Sequence, residues 1–213
     1  MRRFVVDAAS PDPAAIEAAA DAIRGGGLVI VPTDTLYGLA ANPFDDQAVE
    51  RVFAAKGRAS NQALPLVASD LEQVEQHIGA LALDARRLAV KFWPGPLTIL
   101  LPAPPSLAIA VSGGTGRVGV RVPNEPIARE LCRVTGCPVT ATSANRSGEP
   151  ASADPDQAAR SLLSGGADID VLLDGGPTPG GPPSTIVDMT AEGIRIVRVG
   201  ALGWEDIQTW LNR

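Results

Sequence analysis

Between Asp12 and Arg24 the apolar residues Ile16, Ala19, Ala20 and Ile23 recur at three- and four-residue intervals, which predicts a helix with one buried face. Asp12-Pro13 supplies its N-cap and first-turn proline, and Gly25-Gly26-Gly27 ends it. Residues 28–31 form a short, wholly apolar run, the pattern of a buried strand. The stretch 32–38 leaves that strand as a polar loop. Asp45 or Asp46 then caps a helix that turns Val49, Val52 and Phe53 inward and carries Lys56-Gly57-Arg58 at its end. Further strands are predicted at 64–67, 97–101, 117–122, 139–142, 171–173, 185–187 and 194–199. Helices are predicted at 71–78, 83–92 (stopped by Pro94-Gly95-Pro96), 126–134, 155–163 (capped by Asp154) and 204–211. The Gly/Pro-rich run 175–183 is read as a loop, because strand patterns resume after it. Helices and strands alternate without internal repeats, so the expected fold is α/β, with one twisted mixed parallel/antiparallel sheet and flanking helices.

Composition narrows the function. The chain has 213 residues, 45% of them hydrophobic and 20% charged, which suits one domain with a substantial core. A net charge of −6 argues against a general nucleic-acid binder, which would present a basic face. No apolar run approaches the ~18–20 residues of a membrane span. The N-terminus is basic but meets Asp7 too soon to build a signal-peptide core. Cys132 and Cys137 are too few and too close for a disulfide framework and read as reduced thiols of a cytoplasmic protein. His77 is the only histidine, which makes a Ser-His-Asp triad and histidine-based metal sites poor expectations.

Lysine is rare here. Lys56 and Lys91 stand among 18 basic residues, so arginine serves for generic surface charge and Lys56-Gly57-Arg58 needs its own reason. An ammonium and a guanidinium two residues apart suit phosphate oxygens, although cations at a helix C-terminus also complement its dipole. Thr33-Asp34-Thr35, Ser143-Ala144-Asn145 and Pro183-Ser184-Thr185 all fall where strands run out, the place where α/β sheets hold ligands. Each alone is also ordinary turn chemistry. Together with Lys56, Arg58, Arg121 and Arg198 they point to one anionic-ligand site. Arg121 and Arg198 sit within apolar strand patterns, where a guanidinium requires an acidic partner, a ligand or an outward face. Gly114 to Gly119 fits G-x-G-x-x-G, but a strand and not a helix follows it, so the dinucleotide reading fails. His77 reads as a surface residue of an amphipathic helix, Cys132 as core, and the three tryptophans as packing residues.

Pro32-Thr33-Asp34-Thr35-Leu36-Tyr37-Gly38-Leu39, Lys56-Gly57-Arg58, Val118 to Pro123, Ser143-Ala144-Asn145 and Pro183 to Asp188, in this order, resemble the YrdC-like threonylcarbamoyl-AMP synthases over about residues 15–200. The chain looks like the short, single-domain form of that family, without the C-terminal extension of its longer members. The resemblance implies that L-threonine, bicarbonate (or CO2) and ATP, with Mg2+, give threonylcarbamoyl-AMP and pyrophosphate. The adenylate would feed N6-modification of adenosine 37 in tRNA, completed by separate transfer proteins, with any direct tRNA contact weak. Carried over by motif, Lys56 and Arg58 would neutralise the triphosphate, with Ser143 and Asn145 as hydrogen-bonding partners. Arg121 would pair the threonine carboxylate, and Thr35, Ala141 and Ser184 would line the threonine pocket. Gln62, Arg117 and Arg198 would contact the nucleotide, and no metal-binding side chain is expected. The chain departs from the family pattern at Ala59, Ala63, Val67, Ala151 and Ala153. Two other readings stay open: an RNA-binding or ribosome-associated module using Lys56, Arg58, Arg117, Arg121 and Arg146, and a paralogue that binds nucleotide without making the adenylate.

Overall fold

The structure, a computed structural model, describes residues 1–59, 62–190 and 193–211. In chain order the elements are β1 (Arg2–Val5), α1 (Pro13–Arg24), β2 (Val29–Val31), β3 (Gly38–Ala40), α2 (Asp46–Lys56), β4 (Leu66–Val67), α3 (Leu71–His77) and α4 (Leu83–Phe92). There follow β5 (Leu97–Pro102), a 3-10 turn at Ile109–Ser112, β6 (Arg117–Arg121), α5 (Pro126–Thr135), β7 (Val139–Thr140) and β8 (Thr142–Ser143). The chain continues with α6 (Pro155–Ser164), β9 (Val171–Asp174), β10 (Thr185–Thr190), β11 (Gly193–Arg198) and α7 (Trp204–Leu211).

The caps read from the sequence form as expected. Asp12 accepts from Ala14 N at the start of α1, Asp45 from Gln47 N at the start of α2, and Asp154 from Gln157 N at the start of α6. These bonds satisfy N–H groups that no preceding turn reaches. Gly57 ends α2 in the left-handed region at φ 58°, which a glycine adopts without steric cost.

The single expected sheet is instead two. A five-stranded sheet runs β1-β9-β2-β3-β8 and a six-stranded sheet β11-β10-β5-β6-β4-β7, both mixed. The division falls inside 139–142, expected as one strand. Thr140 pairs with Leu66 in the larger sheet, whereas Thr142 pairs with Leu39 in the smaller one. Thr140 Oγ1 accepts from Ala41 N and donates to Leu39 O, and Ala141 N donates to Pro65 O. These bonds satisfy the backbone where the chain changes sheets. Two further strands were not expected. β1 is an edge strand with only Phe4 half-buried, so it lacks alternation. β3 lies antiparallel to β2 across the polar loop.

Packing follows the strands' two faces. Ile30 of β2 joins the larger apolar cluster beneath α2 and α6, while Val29 and Val31 face Ile16 and Ile23 of α1 and Ile127 and Leu131 of α5. Among the described residues no helix is long and apolar enough to cross a membrane.

Candidate functional site

Where the two sheets meet lies a cavity of about 490 Å³, within the range of small-molecule sites. Its wall takes residues from the ends of β4, β6, β8 and β11, the middle of β5, and the loops before β3 and β10. The loop after β2 is folded on itself. Thr33 Oγ1 donates to Leu36 O at 2.6 Å and accepts from Thr35 N at 3.3 Å, which leaves the Thr35 side chain on the cavity wall. Tyr37, fully buried, donates to Gly176 O at 2.6 Å and accepts from Gly175 N at 3.1 Å. Thr178 Oγ1 and Gly180 N donate to Thr35 O at 2.8 and 2.9 Å, so the 175–183 loop is tied to the same segment.

The cations of the site differ in surroundings. Lys56 is 3% exposed, and its ammonium donates to Ser143 O at 2.5 Å, Asn145 O at 2.8 Å and Asn145 Oδ1 at 3.4 Å. Burial, with the charge of Arg58, lowers it to about 8. Arg58 lies on the cavity wall and donates through Nη2 to Ala63 O at 3.1 Å. Its buried Nε has no hydrogen-bond partner among the described residues. Arg121, at the end of β6, meets Asp34 Oδ1 at 2.6 Å, while Asp34 Oδ2 accepts from Asn124 N at 3.2 Å. Arg198 Nη2 donates to Ser184 O at 2.8 Å, and Ser184 Oγ shares a hydrogen bond of 2.8 Å with Thr98 Oγ1. Burial pulls all three guanidinium groups below the usual arginine range, with Asp34 opposing it at Arg121.

Thr35, Arg58, Arg121, Ala141, Ser143, Ser184 and Arg198 thus share one wall. Ala63, Val67 and Ala151, three of the departures from the family pattern, stand on it too. Four expected site residues do not. Lys56 and Asn145 lie behind Ser143, because the ammonium spends its donors on carbonyls and the Asn145 amide donates to Arg146 O and Glu149 O. Gln62 is exposed on the surface. Arg117 is drawn to the far end of β6, where it bonds Asp188 Oδ1, Leu100 O and Met189 O. Arg121 has an acidic partner, one of the three outcomes its position allowed. Arg198 is exposed, as an outward face predicts, yet it borders the cavity.

Thr33, in the cluster 33–35 that the sequence singled out, is on the wall, and so are Tyr37, Thr98 and Gly119, to which the sequence assigned no role. Gly119 carried a signal: a glycine inside an apolar strand marks a close approach. A Cβ there would lie 3.0 Å from Thr98 Cγ2 and 3.3 Å from Leu100 Cδ2. Cys132 is core, as expected, and half-buried His77 stacks obliquely on Phe44.

The chain is similar to known proteins along most of its length. Residues 21–200 match the model of the Sua5–YciO–YrdC family, which bears the description telomere recombination. A threonylcarbamoyl-AMP synthase of Pyrococcus abyssi is 38% identical over 193 residues, covering 91% of this chain and 56% of that protein. A putative threonylcarbamoyl-AMP synthase of Mycobacterium tuberculosis is 38% identical over 203 residues, with 94% and 92% covered. The crystal structure of P. abyssi Sua5 complexed with L-threonine superposes with a TM-score of 0.91 at 36% identity, covering 99% of this chain and 61% of that one. The chain therefore spans little more than half of the archaeal relative and nearly all of the mycobacterial one.

Proposed function

Because the chain belongs to the Sua5–YciO–YrdC family, we propose that it joins L-threonine, bicarbonate (or CO2) and ATP into threonylcarbamoyl-AMP, releasing pyrophosphate. Separate transfer proteins would pass the product to N6 of adenosine 37 in tRNA. One observation carries the reading: Thr35, Arg58, Arg121, Ser143, Ser184 and Arg198 converge on a single cavity, in a fold shared with a relative solved with L-threonine.

The chemistry fits the wall. Threonine carboxylated on nitrogen attacks the α-phosphorus while pyrophosphate leaves, so negative charge gathers in one place and positioning with electrostatic stabilisation supplies the catalysis. Arg121 pairs the threonine carboxylate, with Thr35, Ala141 and Ser184 beside the amino acid. Arg58 and Arg198 take phosphate oxygens, and Arg58 Nε, without a partner among the described residues, is a donor for one of them. Ser143 hydrogen-bonds the nucleotide, while Lys56 and Asn145 hold Ser143 in place. Magnesium arrives with ATP as its phosphate complex. The free thiols Cys132 and Cys137 suit a reducing cytoplasm.

The RNA-binding alternative draws no support from the placement of its residues. Of its five cations, Lys56 is buried and Arg117 and Arg121 are ion-paired, so only Arg58 and Arg146 remain of the basic groove. The deciding assay measures pyrophosphate release from MgATP and bicarbonate with L-threonine, L-serine, L-valine or no amino acid. Threonine-stimulated release with an adenylate of the expected mass is the expected result. A folded protein that shows no threonine dependence would refute it.

A further inference from the structure

Three guanidinium groups border the cavity, and their partners divide them into two kinds. Arg58 and Arg198 bond only neutral oxygens, and among the described residues neither has an acidic partner. Arg121 is paired with Asp34 at 2.6 Å, and with side chains 10% and 12% exposed this is the most buried ion pair among the described residues. Asp34 is fixed at both oxygens, one on Arg121 and the other on the backbone N–H of Asn124. It stands outside the cavity wall, whereas Arg121 and the flanking Thr33 and Thr35 are on it. The acid is therefore behind the guanidinium and the ligand space in front.

Resting on the synthase reading, the geometry points to Asp34 as a specificity-determining residue: it makes the Arg121 end of the cavity a site for a single carboxylate that rejects phosphate, leaving the triphosphate to Arg58. The reason is charge number. A guanidinium pinned along one edge still offers its other donors to a planar carboxylate. Paired with Asp34, Arg121 presents almost no net charge, so the extra charges of a polyphosphate gain little attraction there to offset their desolvation, whereas a single carboxylate still gains its hydrogen bonds. Such discrimination against the wrong occupant matters here, because ATP docked with its phosphates in the amino-acid end would be a dead-end complex.

Calorimetry tests this with L-threonine as titrant and sodium pyrophosphate as competitor. In the unaltered protein, pyrophosphate should change the threonine dissociation constant by less than about twofold, because the two occupy separate ends. In Asp34→Asn, which keeps an acceptor for Arg121 but removes the charge, saturating pyrophosphate should weaken threonine by about tenfold or more. Titrated with pyrophosphate alone, Asp34→Asn should take up a second equivalent that the unaltered protein does not, and adding Arg121→Gln should remove it. An Asp34→Asn protein that binds threonine with no competition overturns the inference. If that variant does not fold, Asp34→Glu takes its place: it retains the charge and must still exclude pyrophosphate, and competition there overturns the inference equally. Failure of the synthase reading is distinguishable, because it shows in the unaltered protein as absent threonine binding and absent threonine-dependent pyrophosphate release.

Discussion

Replacing Lys56 with methionine separates a lysine that builds the cavity from one that binds its ligand. Methionine keeps an unbranched side chain and removes the ammonium. Two effects oppose each other at neutral pH. The bonds to Ser143 O and Asn145 O are charge-assisted, each worth about 1.5–3 kcal/mol, and their loss leaves carbonyls without a donor. In the other direction, burial lowers the ammonium from 10.5 to about 8, and Lys56 is only 3% exposed. At about 1.4 kcal/mol per pH unit, the charged form is disfavoured in the fold by about 3 kcal/mol. The net cost of Lys56→Met near neutral pH is therefore about 0–3 kcal/mol.

The sign of the pH dependence follows. Between about 8 and 10.5 the unfolded chain still holds the Lys56 proton and the folded protein does not, so stability rises with pH. The gap between the unaltered protein and Lys56→Met should widen by about 3 kcal/mol across that window. Burial pushes the Tyr37 hydroxyl and the Cys132 and Cys137 thiols upward, which removes stability at alkaline pH, but both proteins carry these groups and the difference cancels them. Urea unfolding at steps of pH measures the gap. A lysine in open solvent, titrating at its ordinary value, gives a constant gap, and that result would refute the buried, carbonyl-bound lysine.

Tyr37→Phe should cost about 1–3 kcal/mol by stripping Gly175 N–H and Gly176 C=O of their partner, a fall in Tm of roughly 2–4 °C per kcal/mol for a chain of this size. Faster amide exchange at Gly175 should accompany it, and an unchanged Tm would count against the latch. Gly119→Ala should cost about 1 kcal/mol of stability by pressing on Thr98 and Leu100. By displacing Thr98 from Ser184 it should also raise the threonine KM about tenfold, and an unchanged KM would remove Gly119 and Thr98 from the amino-acid end.

Much of this was legible where one residue type has one local consequence. Asp12-Pro13 starts α1 and Asp45 starts α2, because a short carboxylate satisfies N–H groups that the helix leaves open. The polar wall of the cavity was legible for a related reason: hydroxyls and guanidiniums interrupting apolar strands stand out. What each cation does was not legible, because that depends on burial and on partners distant in sequence. Lys56 drew notice by rarity, yet its acceptors lie 87 and 89 residues away. Arg117, Gly119 and Arg121 share one face of β6, so alternation places all three together. At about 3.3 Å per residue, however, the outer two stand roughly 13 Å apart, and Asp188 claims Arg117. β4, β7 and β8 have two residues each, too few for any period to register.

The handover between sheets at Ala141 explains why scaffold and site coincide. A strand continuing from Val139 through Ser143 in one sheet would close the space that the cavity occupies. Instead β7 stays with β4, β8 joins β3, and the small Ala141 side chain lines the gap between them. β8 is a two-residue edge strand, held on one side only by β3, and would be poorly fixed by its ladder alone. The Lys56 ammonium supplies the second anchor by taking Ser143 O, which ties the end of α2 to the end of β8. Gly57 then reverses the chain and sends Arg58 to the cavity side. A lysine at position 56 and an arginine at 58 thus divide two tasks that adjacent cations in open solvent would share: the buried one holds the wall in shape, and the half-buried one, on the cavity wall, faces whatever anion enters.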